Sequence, residues 1–401
     1  MICEFDVKNI MCKYLFDLKD VINLYNLNKD HQDNVKITNL YDMPEKYIKN
    51  LSQEIILPLN SSPQCYLQKK IYYIERLNVC NNFNIKNVNQ MKKTLKELNC
   101  QGNCGIGQDG IKELKLIKLD MSNNIKIKNI NHMKETLKEL SCRGYCEIDQ
   151  NGINQLKLIK LDVEYNKKIQ NVNYMKETLT ELICGSSCGI DQNGINELKL
   201  VKLNASYNEK IKNINHMKET LKELNCGGHN CGIDQEGINE LKLIKLNVWD
   251  NKKIQNVNHM KETLIELECG GHSYGIDQNG INELKLVKLD AWDNIKIKNI
   301  NHMKETLKEL SCGGDCGIDQ EGIKKLKKLV KLDAQYNKKI KNVNHMKKTQ
   351  VARDGQKPRL LKKLNCCGYN CGIDQNAISQ LKLIKLDSRK NKKIKQKVIG
   401  K

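Results

Sequence analysis

Aromatic side chains are scarce in this chain. They make up 5% of its 401 residues, with three phenylalanines and two tryptophans. An ordinary large globular core draws heavily on such residues, so a thick core is excluded and thin aliphatic layers are favoured. Arginine is scarce too, at five residues, while Asn, Lys and Ile dominate. That bias resembles the coding of an AT-rich genome and says little about function. No run of 18 apolar residues exists, so no membrane-spanning helix is expected. No secretory leader is expected at the start, because Glu4, Asp6 and Lys8 interrupt it. The expected location is therefore cytoplasmic, where the sequon at Asn60 has no use. There the eighteen cysteines are reduced thiols, not a disulfide scaffold.

What the chain has in abundance is lysine, and its formal charge is +21. A basic balance raises a nucleic-acid reading. Lys and Glu are interleaved through most of the length, which fits a solvated, soluble surface better. The exception is the end: residues 382–401 carry nine basic residues against Asp387 alone.

Length alone would suggest two or three domains, but an internal period overrides that prior. Two alternating unit types make a super-repeat of 42–43 residues. The first reads Leu116-x-x-Leu119-x-Met121-x-x-Asn124-x-x-Ile127-x-x-Ile130. It recurs from Leu158, Leu200, Leu243, Leu286, Leu329 and Leu383, and earlier from Ile74. The second reads Leu95-x-x-Leu98-x-Cys100-x-x-x-Cys104-x-Ile106, and recurs from Leu137, Leu179, Leu221, Leu264, Leu307 and Leu361. Eight units of the first type and seven of the second make fifteen, each about 21 residues long.

The first type resembles the leucine-rich repeat, L-x-x-L-x-L-x-x-N. The second resembles its cysteine-containing subtype, with stretches such as Ile148-Asp149-Gln150-Asn151-Gly152-Ile153. The resemblance covers about 80% of the chain. Its departures are one extra residue between the cysteine positions of several units, and Tyr274 where a second cysteine is expected. It implies an α/β solenoid: a leucine-rich-repeat horseshoe with a parallel concave β-sheet and short helices or turns on the convex side. Residues such as Leu119 and Met121 then point inward from short strands spaced about 4.8 Å apart. The Asn residues at 82, 124, 166, 208, 251, 294, 337 and 391 can bond backbone groups that their turns leave unpaired. A short helix is expected over 150–158 and a looser turn over 132–136.

The position before the second leucine alternates in charge: Arg76, Glu97, Lys118, Glu139, Lys160, Glu181, Lys202, Glu223, Lys245, Glu266, Lys288, Glu309, Lys331. On adjacent strands these residues face one another, and each pair would contribute about 0.2–1 kcal/mol. A uniformly positive nucleic-acid cradle is thereby disfavoured. Lys363 breaks the row. It follows an insertion at about 350–359 that holds two of the five arginines, Arg353 and Arg359. This segment reads either as a solvated loop or as a binding loop.

Residues 1–60 do not follow the repeat, residues 61–73 link them to the repeat domain of 74–394, and 395–401 form a basic tail. Apolar residues in 10–24 have helical spacing, with Leu15, Val21 and Leu24 among them. The stretch resembles the F-box, although Phe5-Asp6-Val7 replaces the usual Leu-Pro opening and 28–31 lack the usual Trp. That resemblance implies a substrate-recruiting subunit of a cullin–RING (SCF-type) ubiquitin ligase, with Leu15, Val21 and Leu24 in the core or the face that meets a Skp-type adaptor. The composition is also similar to that of the F-box and repeat proteins of giant viruses of amoebae, which would place the protein in a host cytoplasm. The other reading of 1–60 is a helical cap over the first repeat.

No phosphate-cradling loop, nucleophile elbow or convergent acid pair is found, so no enzymatic activity and no cofactor are expected. The cysteine pairs of successive super-repeats lie two strands, or roughly 10 Å, apart, too far to share a zinc ion. His132, His216, His259, His302 and His345 recur at one turn and read as turn residues. Protein binding on the concave side is the expected function, either as the ligase adaptor above or as a scaffold or decoy without a ligase. Trp249 and Trp292 occupy the first solvent-facing position after their strands, where other units place Ser122, Glu164, Ser206 and Gln335. With His272, Tyr274, Tyr207, His229 and Tyr336 they form the candidate site; the other reading is that one or both rings fold against the neighbouring turn and cover the solenoid's edge.

Overall fold

The computed structural model describes residues 54–56, 75–273, 275–346 and 361–395. The chain divides into two units, 1–198 and 199–401. In the first, seven parallel strands run in chain order: β1 (Glu54–Ile56), β2 (Arg76–Asn78), β3 (Glu97–Asn99), β4 (Lys118–Asp120), β5 (Glu139–Ser141), β6 (Lys160–Asp162) and β7 (Glu181–Ile183). In the second, nine follow: β8 (Lys202–Asn204), β9 (Glu223–Asn225), β10 (Lys245–Asn247), β11 (Glu266–Glu268), β12 (Lys288–Asp290), β13 (Glu309–Ser311), β14 (Lys331–Asp333), β15 (Lys363–Asn365) and β16 (Lys385–Asp387). Each strand is one rung of a leucine-rich-repeat solenoid. Strand β1 extends the sheet one rung before the repeat start read at Ile74, with Glu54 in register with Arg76.

Why three residues suffice for a strand follows from side-chain alternation. In β10 Leu246 points inward and is buried, while Lys245 and Asn247 flank it on the open face. Val248 turns in again, so each rung contributes two adjacent inward side chains to an aliphatic core. Neighbouring strands pair residue for residue, as in Lys245↔Glu266, Leu246↔Leu267 and Asn247↔Glu268. A slip of one residue would turn every inward leucine to solvent, so the pattern fixes the register.

The buried asparagines close the turn after the strand in the first unit type. Asn294 is fully buried, and its Nδ2 donates to the Cys269 and Ile276 carbonyls at 2.9 and 3.1 Å. Its Oδ1 accepts the Lys296 and Ile297 N–H groups at 3.0 and 3.2 Å. Asn124, Asn251, Asn337 and Asn391 make the same two donations to the rung before them.

Away from the sheet, the second unit type forms a single helical turn at Gln150–Ile153, shorter than the helix expected over 150–158. Leu156 and Leu158 are both buried at period two, so the chain must already be extended there to enter the next strand. The Asp-Gln-x-Gly stretches have a division of labour. Asp149 Oδ1 accepts the Gly152 N–H at 3.0 Å and caps the turn. Gln150 reaches the next rung, accepting from Gln170 and Asn171 N–H and donating to the Asn171 carbonyl. The looser turn expected at 132–136 begins as a 3-10 turn at Asn131–Met133 that buries Met133. Among the described residues no helix is long and apolar enough to cross a membrane.

Candidate protein-binding surface

The open face of the sheet carries the alternating charges as contacts. In the first unit Lys118 meets Glu139 and Lys160 meets Glu181, both at 3.3 Å. In the second, Lys202 meets Glu223 at 3.7 Å, Lys245 meets Glu266 at 3.3 Å and Lys331 meets Glu309 at 3.6 Å. These side chains are substantially exposed, so each pair contributes little on its own and fixes order more than strength. The row ends in Lys331, Lys363 and Lys385, paired in register with one another.

The two tryptophans stand in a second column, just beyond the C-terminal ends of the strands. From β8 to β13 that column reads Ser206, Gly227, Trp249, Gly270, Trp292, Gly313, so each indole lies between glycines. The reason is spatial. A methyl group on Gly270 would lie 2.5 Å from Trp249 Cζ3 and 2.5 Å from the Trp292 carbonyl oxygen. A methyl on Gly313 would clash with the ring of Trp292 in the same way. Each indole therefore lies over the glycine of the next rung and is half-buried, not fully solvent-facing as its position suggested.

The next position is a left-handed turn residue in all eight units of the first type, from Asn81 at φ 57° to Lys390 at φ 62°. Where it is Asp, the carboxylate ties down the following rung. Asp250 Oδ1 accepts the His272 and Ser273 N–H groups at 2.7 and 3.0 Å, and Asp293 Oδ1 accepts Asp315 N–H at 2.9 Å. Where it is Tyr207 or Tyr336, the ring instead covers Gly228 or Gly368 of the next rung. Both tyrosines stay exposed, and a bulky residue at positive φ costs free energy that a purely structural turn would avoid. Tyr207 meets His229 edge to face at 5.8 Å. His272 is exposed and its Nε2 lies 3.8 Å from Asp293 Oδ2. The structure thus gathers Tyr207, His229, Trp249, His272, Trp292 and Tyr336 along one edge of the second unit's sheet. Tyr274, Leu15, Val21, Leu24 and the 350–359 insertion lie outside the described residues.

Two features went unread in the sequence. Tyr369 extends the aromatic edge, exposed and with Lys392 Nζ 5.8 Å from its ring centre. Opposite the tryptophans, at the N-terminal ends of β10, β11 and β12, stand Ile244, Ile265 and Val287, the first two 37% and 42% exposed. Ile265 is the departure: the same position in sister units holds Lys96, Lys138, Thr180, Lys222, Lys308 and Lys362. In the same strand, Glu268 stands where sisters hold Asn99, Ser141, Ile183, Asn225, Ser311 and Asn365. That comparison, unit against unit, was the available signal.

The cysteine columns are free thiols, nearly all buried, and burial raises their pKa: Cys146 and Cys231 to about 11, Cys316 to about 12. They are therefore protonated core residues at neutral pH. Among the described residues no group of three His, Cys, Asp or Glu is placed to hold a metal. His132, His259, His302 and His345 each place Nε2 about 3.0–3.2 Å from a carbonyl of the rung before, and burial lowers their pKa.

No family model matches the chain. No curated protein matches it either. Solved structures similar to it include an internalin (inlF) of Listeria monocytogenes, with 17% identity over 84% of this chain and 89% of that one and a TM-score of 0.41. Others are the Leptospira interrogans LRR protein LIC12759 (19% identity, 83% and 82% covered, TM-score 0.39) and the yeast Rad7 and Elc1 complex (14%, 88% and 91%, TM-score 0.44).

Proposed function

We propose that this chain is a protein-recognition module and that β10 to β12 hold its binding site. The observation that carries the reading is the coincidence of departures on three adjacent rungs. Both tryptophans of the chain, the apolar Ile265 and the acidic Glu268 all fall there. Half-buried indoles on a rigid sheet lose little conformational entropy on binding and bury large area, which is the character of an interface anchor.

The test is capture with the full chain as bait, wild type against the double variant Trp249→Ser and Trp292→Ser. Serine is the sister residue at positions 122 and 206, so the rungs have a precedent for it. Proteins held by wild type and weakened at least tenfold by the variant support the site; retention of the same proteins by the folded variant refutes it.

The finer reading rests on the F-box resemblance of residues 1–60 and makes the module a substrate-recruiting subunit of a cullin–RING ligase. Deleting residues 1–50, which leaves strand β1 in place, should then abolish binding of a Skp-type adaptor while capture by the repeats persists. If the intact chain binds no adaptor, it acts as a scaffold or decoy.

A further inference from the structure

The chain as a whole is strongly basic, yet the three rungs of the proposed site are not. Along Ile244–Asp250, Ile265–His272 and Val287–Asp293 stand five carboxylates, Asp250, Glu266, Glu268, Asp290 and Asp293, against two lysines, Lys245 and Lys288. Four rungs on, the corresponding stretches of β15 and β16 hold Lys362, Lys363, Lys385, Arg389 and Lys390 against Asp387 alone. The acidic excess covers the rungs that carry the tryptophans and continues into β13, where Glu309 and Asp315 stand against Lys308.

The lysines do not neutralise it. Lys245 is engaged by Glu266 at 3.3 Å, and Lys288 is shared between Glu266 at 3.8 Å and Glu268 at 3.3 Å. Among the described residues no lysine or arginine forms an ion pair with Asp250, Asp290 or Asp293. Asp290 accepts the Trp292 backbone N–H at 3.1 Å, and burial, which penalises its charged form, raises its pKa. Glu268 takes the Asn247 amide at 2.7 Å. Carboxylates on the same rungs as the two indoles make a setting in which a cation gains twice, from Coulomb attraction and from the ring quadrupole. The flanking Ile244, Ile265 and Val287 supply an apolar strip for the aliphatic stem of such a side chain or for its neighbours.

Resting on the reading of β10 to β12 as the binding site, we infer that its occupant is a basic segment of a protein partner. An arginine or lysine packs on Trp249 and Trp292, drawn there by Glu268 and Asp290. An acidic partner is disfavoured by the same charges, and nucleic acid with it.

The two tryptophans of the chain both belong to this site, so tryptophan fluorescence, excited selectively over tyrosine, reports on it alone. The probes are hexaarginine amide and hexaglutamate, titrated into the full chain at low salt and at 150 mM salt. The variant is Ile265→Lys with Glu268→Asn, which installs the residues that sister rungs carry and leaves the tryptophans in place. Saturable quenching by hexaarginine, weakened at least tenfold in the variant and absent with hexaglutamate, is the expected result. Equal response to hexaglutamate, no response to hexaarginine, or undiminished affinity in the variant overturns the inference. The parent reading is judged separately: capture that depends on the tryptophans, without any response to hexaarginine, leaves the site standing and removes the basic partner.

Discussion

Replacing Asn294 with alanine tests the idea that the solenoid is held by its asparagine ladder as much as by its leucines. The side chain is fully buried and serves four backbone groups: two carbonyls of the preceding unit and two N–H groups of its own turn. Alanine leaves all four without that partner. An orphaned buried polar group costs about 1–3 kcal/mol, so even the low end gives roughly 4 kcal/mol. Water entering the vacated space would recover part of that, and about 3 kcal/mol is the floor we expect. Since solenoid stability is a sum of rung and interface terms, the loss should be felt locally first. Urea unfolding followed by circular dichroism should show the second unit melting earlier by about 1 M or more. Hydrogen exchange should show Lys296 and Ile297 amides losing protection. Asn294→Asp should be no better at neutral pH, because a carboxylate cannot donate to the Cys269 and Ile276 carbonyls. A loss below about 1 kcal/mol with both amides still protected would refute the reasoning.

Gly270→Ala should destabilise by about 1–3 kcal/mol and shift tryptophan emission, because the ring of Trp249 can swing aside but the Trp292 carbonyl cannot; adding Trp249→Ser should relieve only part of the loss in thermal melts. Lys363→Glu should stabilise by about 0.5–1 kcal/mol at low salt and less at high salt, since it sets an acid between Lys331 and Lys385. Burial holds His259, His302 and His345 below the usual imidazole pKa. Below about pH 6.5 the unfolded chain therefore binds protons that the folded chain refuses, and their contribution to stability is lost as pH falls. Burial also raises Asp162 to about 6 and Asp290 upward, which acts in the opposite direction, so the informative quantity is a difference between variants. Changing the three histidines to tyrosine, as at Tyr174, whose hydroxyl donates to the Ile153 carbonyl at 2.8 Å, should flatten the acid-side loss relative to wild type in pH-dependent unfolding.

Much of the fold was legible because the repeat states each rule many times. Leu119 and Met121, two residues apart, announce a strand, and Asn124 announces the turn that follows it. The first strand was missed because Glu54–Ile56 lacks the asparagine and the leucine spacing of later rungs. Its one readable mark is Glu54, which continues the charge alternation into Arg76. The helix expected over 150–158 is a single turn because the spacing of the buried pair Leu156 and Leu158 demands extended chain.

The candidate site was legible in part, for a physical reason that also explains its form. Trp249 and Trp292 stand out in any unit-by-unit comparison, but their packing does not, because it depends on residues about 21 positions away. A tryptophan can enter this column only if the next rung offers no side chain there. Gly270 and Gly313 meet that condition, whereas Gln101 and Arg143 of the first unit do not. The indoles and the glycines are therefore one feature written in two repeats. Since the sheet would stand with serine at those positions, as it does at Ser122 and Ser206, stability does not account for the pair. The same holds for Ile265 and Glu268, where sister rungs use lysine or threonine and asparagine, serine or isoleucine. Four changes that the scaffold does not require converge on three adjacent rungs, and each adds apolar or acidic surface at a place that solvent and a partner can reach.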